Sequence, residues 1–202
     1  MFTRKIILIL VSALLLAGCV PEPPKEKNDV CAIFREYPKW YWAAQKSQKE
    51  WGVPISVQMA IIYQESRFQG KAKPPRTKLL WVIPWKRPTS AYGYSQALDS
   101  TFEGYKKETG NSASRKDFSD AIDFIGWYCY KTHVRNGIPR TNAYALYLSY
   151  HEGMGGYSRG SFNKKPWLIG VAKKVQQQAN NYHYQLVKCQ SSLPKKPWWR
   201  VW

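Results

Sequence analysis

The chain of 202 residues carries 31 Lys and Arg against 13 Asp and Glu, a formal net charge of +18, and is 44% hydrophobic and 15% aromatic. That apolar content excludes a disordered chain, and the length suits one domain with a sizeable core. The charge calls for an anionic partner.

The first segment, "MFTRKIILILVSALLLAGC", has Arg4 and Lys5, an apolar run from Ile6 to Ala17, and small residues leading to Cys19. The run is too short to span a bilayer and reads as a secretion signal over residues 1–18. "LLAGC" resembles the bacterial lipobox, which implies cleavage before Cys19 and acylation of that cysteine. A membrane anchor is therefore expected, and Val20, where an aspartate would retain the protein at the inner membrane, points to the outer membrane facing the periplasm. Without the leader, 29 basic and 13 acidic side chains remain, a formal charge of +16. Basic, aromatic-rich chains often bind nucleic acid, but export removes that partner and leaves wall glycan, teichoic acid and lipid headgroups.

Residues 20–30, "VPEPPKEKNDV", combine three prolines with alternating charge, so residues 19–30 read as a lipidated tether. Once Cys19 is acylated, three cysteines remain in an oxidising compartment. Cys31 and Cys189 lie near the two ends of the domain, residues 31–190, and are expected to pair; Cys129, in "GWYCY", reads as a buried thiol.

Helical spacing begins after Cys31 and a first long helix is closed by Gly52. Pro54 suits the start of the next, along which Ile55, Met59 and Ile62 recur at i, i+4 and i+7,. Glu65 falls three residues beyond Ile62 and four beyond Ile61, which sets its carboxylate on the buried side of the helix or its edge. Lys71–Thr89 has four prolines and no periodicity and reads as a long loop. Helices follow in "STFEGYKKETG", "SDAIDFIGWYCYKTHVRNG", "NAYALYLSYHEG" and "VAKKVQQQANNYHYQLVKC". The tail of residues 191–202, "SSLPKKPWWRVW", alternates cations with tryptophans, as a solvated end or an interfacial segment would. Three histidines without an HExxH or CxxC spacing give no metal site, and no cofactor is expected,.

Three segments stand in order: Glu65-Ser66 at a helix end, Gly93-Tyr94-Ser95-Gln96, and Ser149-Tyr150-His151-Glu152-Gly153. Their order resembles the lytic transglycosylase family, whose soluble domains carry an E-S pair, a G-L-M-Q-like turn and an A-Y-N-A-G-like segment. The resemblance covers roughly residues 40–180. It implies a mainly α, lysozyme-like helical domain with little or no sheet, and peptidoglycan glycan strands as substrate. It makes Glu65 the catalytic group and assigns substrate contacts to Ser66, Gln96, Tyr150, His151 and Glu152. The departures are Tyr94-Ser95 for Leu-Met, His151 for Asn and Glu152 for a small residue. Tyr63, Tyr92 and Tyr94 suit either the core or a cleft wall.

The chemistry agrees. Cleaving a glycoside needs a proton donor, and a carboxyl group serves near neutral pH only if its surroundings raise its pKa. Glu65 is the only acid between Glu50 and Asp99, whereas hydrolysis usually takes two carboxylates. As the resemblance implies, one glutamate suffices: it protonates the bond between N-acetylmuramic acid and N-acetylglucosamine, then takes the proton of the muramoyl 6-hydroxyl as a 1,6-anhydro ring closes. Two alternatives stay open. Glu152 facing the cleft would permit hydrolysis of the muramidase type, and a chain without turnover would be a wall-binding lipoprotein scaffold.

Overall fold

The computed structural model describes residues 20–76 and 87–197, with the backbone of 78–79 and 83–84. The expected signal, Cys19 and the tryptophans at 198, 199 and 202 lie outside the described residues. The helices are α1 (Val30–Glu36), α2 (Pro38–Trp51), α3 (Ile55–Ser66), α4 (Asp99–Thr109), α5 (Phe118–Asn136), α6 (Ala143–Ser158) and α7 (Pro166–Cys189). The fold is mainly α and lysozyme-like. Inside the proline-rich loop, β1 (Lys78–Leu79) pairs antiparallel with β2 (Ile83–Pro84), a two-rung ladder without the alternation that would have marked it in sequence,. No helix among the described residues is long and apolar enough to cross a membrane.

Helix α3 is the axis of the domain. Every residue from Ile55 to Ile62 is buried, because α2, α5, α6 and α7 all pack around it. Such a helix is apolar on all sides rather than striped, and its one interior amide is fully partnered: Ser47 Oγ donates to Gln58 Oε1 at 2.8 Å, and Gln58 Nε2 to the Val53 carbonyl at 2.8 Å. Leaving that pair unmade inside the core would cost about 1–3 kcal/mol.

Glycine closes α2, α4 and α5 in the left-handed conformation, at Gly52, Gly110 and Gly137,. Asp29 and Asp117 cap α1 and α5 by accepting from two backbone N–H groups each,. Helix α7 begins at Pro166, five residues before the span expected from its apolar pattern, since proline at the first helical turn is as good a start as the pattern itself,.

The segment expected as a tether lies along the domain instead. Tyr37 donates to the Glu22 carbonyl at 2.9 Å, Lys25 N–H to Glu36 Oε2 at 3.1 Å, and Tyr182 to the Lys27 carbonyl. Gln185 holds both sides of the turn into α1, donating to the Asn28 carbonyl at 3.0 Å and accepting from Val30 N–H at 2.9 Å. Pro24 is buried. The tail also starts against the domain: Leu193 is buried and Trp42 Nε1 donates to the Pro194 carbonyl at 2.7 Å.

Cys31 and Cys189 form a disulfide that joins α1 to the end of α7 across 158 residues. Cys129 is free and buried, and burial raises its thiol to about 12. In the chain-entropy account a loop of this length stabilises by about 5 kcal/mol. Cys189→Ser should lower the unfolding free energy by about that much in denaturant titration; a change within roughly 0.5 kcal/mol, the usual range for a surface substitution, would show that the bridge holds nothing.

Candidate active site

The three segments in the sequence converge at the end of α3. The chain leaves α3 through two successive left-handed non-glycine residues, Arg67 (φ 52°) and Phe68 (φ 62°), a strained conformation that persists only where the surroundings fix it. Phe68 is fully buried and Arg67 lies 3.9 Å over the Tyr63 ring. The Ala72 carbonyl then accepts from Gly93 N–H at 3.0 Å and from Gln96 Nε2 at 3.0 Å, bringing the second segment beside the first. Gly93 is obligatory here: its φ is +75°, and a Cβ would come within 2.0 Å of the Arg115 carbonyl oxygen,. Tyr150 brings in the third segment by donating to the Ser95 carbonyl at 2.6 Å.

Glu65 is half-buried. Part of the residue reaches solvent, but protein surrounds the carboxyl closely enough for desolvation to raise its pKa to about 7, against the opposing effect of a hydrogen bond from Tyr147,. Tyr147 is buried, and its own hydroxyl is held protonated first by burial, then by the Glu65 charge and the bond it donates to Glu65. Tyr150 is pushed well up by burial and by the same charge.

Sequence reasoning missed Tyr147, whose hydroxyl lies close enough to Glu65 to favour its ionised form. The signal was present, since Tyr147 is three residues before Tyr150 and thus on the same face of α6.

The other expected site residues sit as follows. Ser66 is buried and donates to the Ile62 carbonyl of its own helix at 3.3 Å rather than to Glu65. Gln96 uses both Nε2 hydrogens on the Ala72 and Gly93 carbonyls, which leaves only Oε1 to face a ligand. Tyr94 is a core residue, stacked edge-on against Trp40 and Phe118, while Tyr92 is half-buried beneath Lys73 and Arg115. Tyr63 is half-buried under Arg67.

His151 and Glu152 face another way. Glu152 accepts from Lys165 Nζ at 2.7 Å, from Ser161 Oγ, and lies 3.0 Å from His151 Nδ1. The bonds from Lys165 and Ser161 hold its carboxyl down at about 2. Its side chain is 5% exposed. It is an ionised structural anchor, unable to serve as an acid and poorly basic. Gly153 makes the arrangement possible: at φ 73°, ψ 154°, open to glycine and to almost nothing else, it kinks α6 directly after Glu152,. His151 packs edge-on against Trp167, 5.2 Å between centroids.

A cavity of about 880 Å³ lies elsewhere, between α2 and the start of α5 with Lys39, Trp42, Lys46, Asp120 and Asp123 in its wall. It holds none of the three segments. Among the described residues no group of three or more His, Cys, Asp or Glu gathers as a metal site.

A lysozyme-like helical domain with one desolvated glutamate at the end of its central helix defines a class of glycan-cleaving proteins. The family model described as "Transglycosylase SLT domain" matches residues 7–189, nearly the whole chain, and the chain belongs to that family of peptidoglycan lytic transglycosylases. A search of curated proteins finds no match.

A carboxyl raised in the fold makes ionisation unfavourable to folding. The effect is absent below the ordinary value of 4.5, grows as pH rises and is complete above about 7. Glu65→Gln should therefore melt above the wild type once pH exceeds about 7, and the gap should close below 4.5. A difference in Tm that does not vary with pH would refute a desolvated Glu65.

Proposed function

We propose that the protein is a membrane-anchored lytic transglycosylase, acylated at Cys19 and facing the periplasm from the outer membrane. It cleaves the bond between N-acetylmuramic acid and N-acetylglucosamine and leaves a 1,6-anhydromuramoyl end. Glu65 is the single acid/base.

The observation that carries this reading is a lone carboxyl held near neutrality. At a pKa of about 7 a large fraction of Glu65 is protonated at working pH and can donate to the leaving oxygen,. The carboxylate so formed then accepts the proton of the 6-hydroxyl, whose oxygen closes onto the anomeric carbon; the proton donated in the first step is recovered in the second. Tyr147 supports the ionised form between the two. Hydrolysis usually takes a second carboxylate, and Glu152 is bound to Lys165 and Ser161. The excess of cations favours encounter with the anionic wall.

Mass spectrometry of products from purified peptidoglycan and the full-length protein in detergent tests the reaction. Anhydro-ended muropeptides are expected, and reducing ends would overturn the reading. Glu65→Gln should lower the rate by about 10²–10⁴-fold yet sediment with wall as before. Glu152→Gln should leave the product type unchanged while costing about 1–3 kcal/mol of stability.

The first step needs protonated Glu65, so the rate should fall about tenfold per pH unit above 7,. Tyr147→Phe removes a bond that favours the ionised form and should move that limb to higher pH; a limb that stays or moves down would exclude Tyr147 from tuning Glu65.

A further inference from the structure

The first described residue, Val20, packs over the segment that follows the end of α3. A Cβ placed on Gly70 would come within 2.4 Å of Val20 Cγ1 and 2.8 Å of Tyr94 Cε2, so Val20 covers Gly70 closely. Gly70 is five residues beyond Glu65 and two before Ala72, whose carbonyl binds Gln96. From Val20 the chain runs along the domain, fixed by Tyr37, Tyr182 and Gln185, and has no free length in which to stand off.

The exposed charges on either side of Gly70 in sequence are basic, while Glu22, two residues after Val20, is an exposed acid. Arg67, Lys71, Lys73, Arg76 and Arg87 are all exposed, and the sequence holds no acid between Glu65 and Asp99. A lipid chain next to a cluster of Lys and Arg is a two-part attachment: one chain inserts while the cations meet headgroup phosphates.

From this arrangement we infer that the face around Val20 and Gly70 docks on an anionic lipid bilayer, setting the end of α3 that carries Glu65 towards the membrane in a fixed orientation. The inference rests on acylation at Cys19. An enzyme held this way reaches only glycan that comes down to the bilayer surface, whereas a tethered one would sweep a larger volume.

The test uses the acylated full-length protein in vesicles of phosphatidylethanolamine and phosphatidylglycerol with a headgroup acceptor dye. A donor is attached at Gln69→Cys or at Arg135→Cys, both exposed positions. Cys129 is buried with its thiol raised to about 12 and stays unlabelled. Arg135 is near the far end of α5, about 25 Å along the helix from Phe118, which itself packs on Tyr94. Transfer from position 69 should exceed that from 135 several-fold. A Gly/Ser insertion of roughly 25 residues between Cys19 and Val20, spanning about 27 Å, should bring the two close together.

Equal transfer from both positions in the uninserted chain would overturn the docking. Changing Lys71, Lys73 and Arg76 together to Gln should shrink the difference; if it instead leaves the difference intact and cuts sedimentation with purified wall, the basic face serves glycan and the inference fails. Absence of acyl incorporation at Cys19 in labelled cells would remove the anchor, a separate result from a failure of orientation.

Discussion

The structure turns on a helix that is buried from every side until its last turn. Ile55 to Ile62 have protein on all faces, so α3 can carry a carboxylate only where that enclosure begins to thin, and Glu65 sits at that point. Solvent there is too sparse to stabilise the charge fully, and Tyr147 supplies part of what water would have given,. The two left-handed residues that follow have the same origin. The chain must turn sharply out of the core, and Phe68 is driven back into it.

Much of this was legible in the sequence because it is local. The spacing of Ile55, Met59 and Ile62 placed Glu65 on the buried side of the helix or its edge, where it is half-buried, and Gly52 and Gly137 ended their helices as read. What depends on distant partners was not legible. Three prolines and alternating charge describe a tether well until Tyr182 and Gln185, more than 150 residues away, are seen to hold it down. The same applies to Gln96 and Ser66. Their types and order marked the site, but the backbone carbonyls that take their hydrogens appear only in the fold. Tyr147 lies just before the Ser149–Gly153 segment, on the same helical face as Tyr150,.

The departures from the family pattern at His151 and Glu152 have a physical account. A glutamate in place of a small residue would be costly if it were left desolvated without partners. Lys165 and Ser161 take up its charge, and Trp167 packs against the neighbouring imidazole. The substitutions act as a set that ties the kinked end of α6 to the short turn of Ser161–Lys164 before α7.

The strap of residues 20–29 also bears on the order in which the molecule can be completed. Its hydroxyl and amide partners, Tyr182 and Gln185, are on α7, the last long helix to be synthesised. Contacts of such sequence separation form late, because the whole intervening chain must be arranged first. The leading segment is thus among the last to settle, and it stays loose until the carboxy-terminal helix that carries Tyr182 and Gln185 docks.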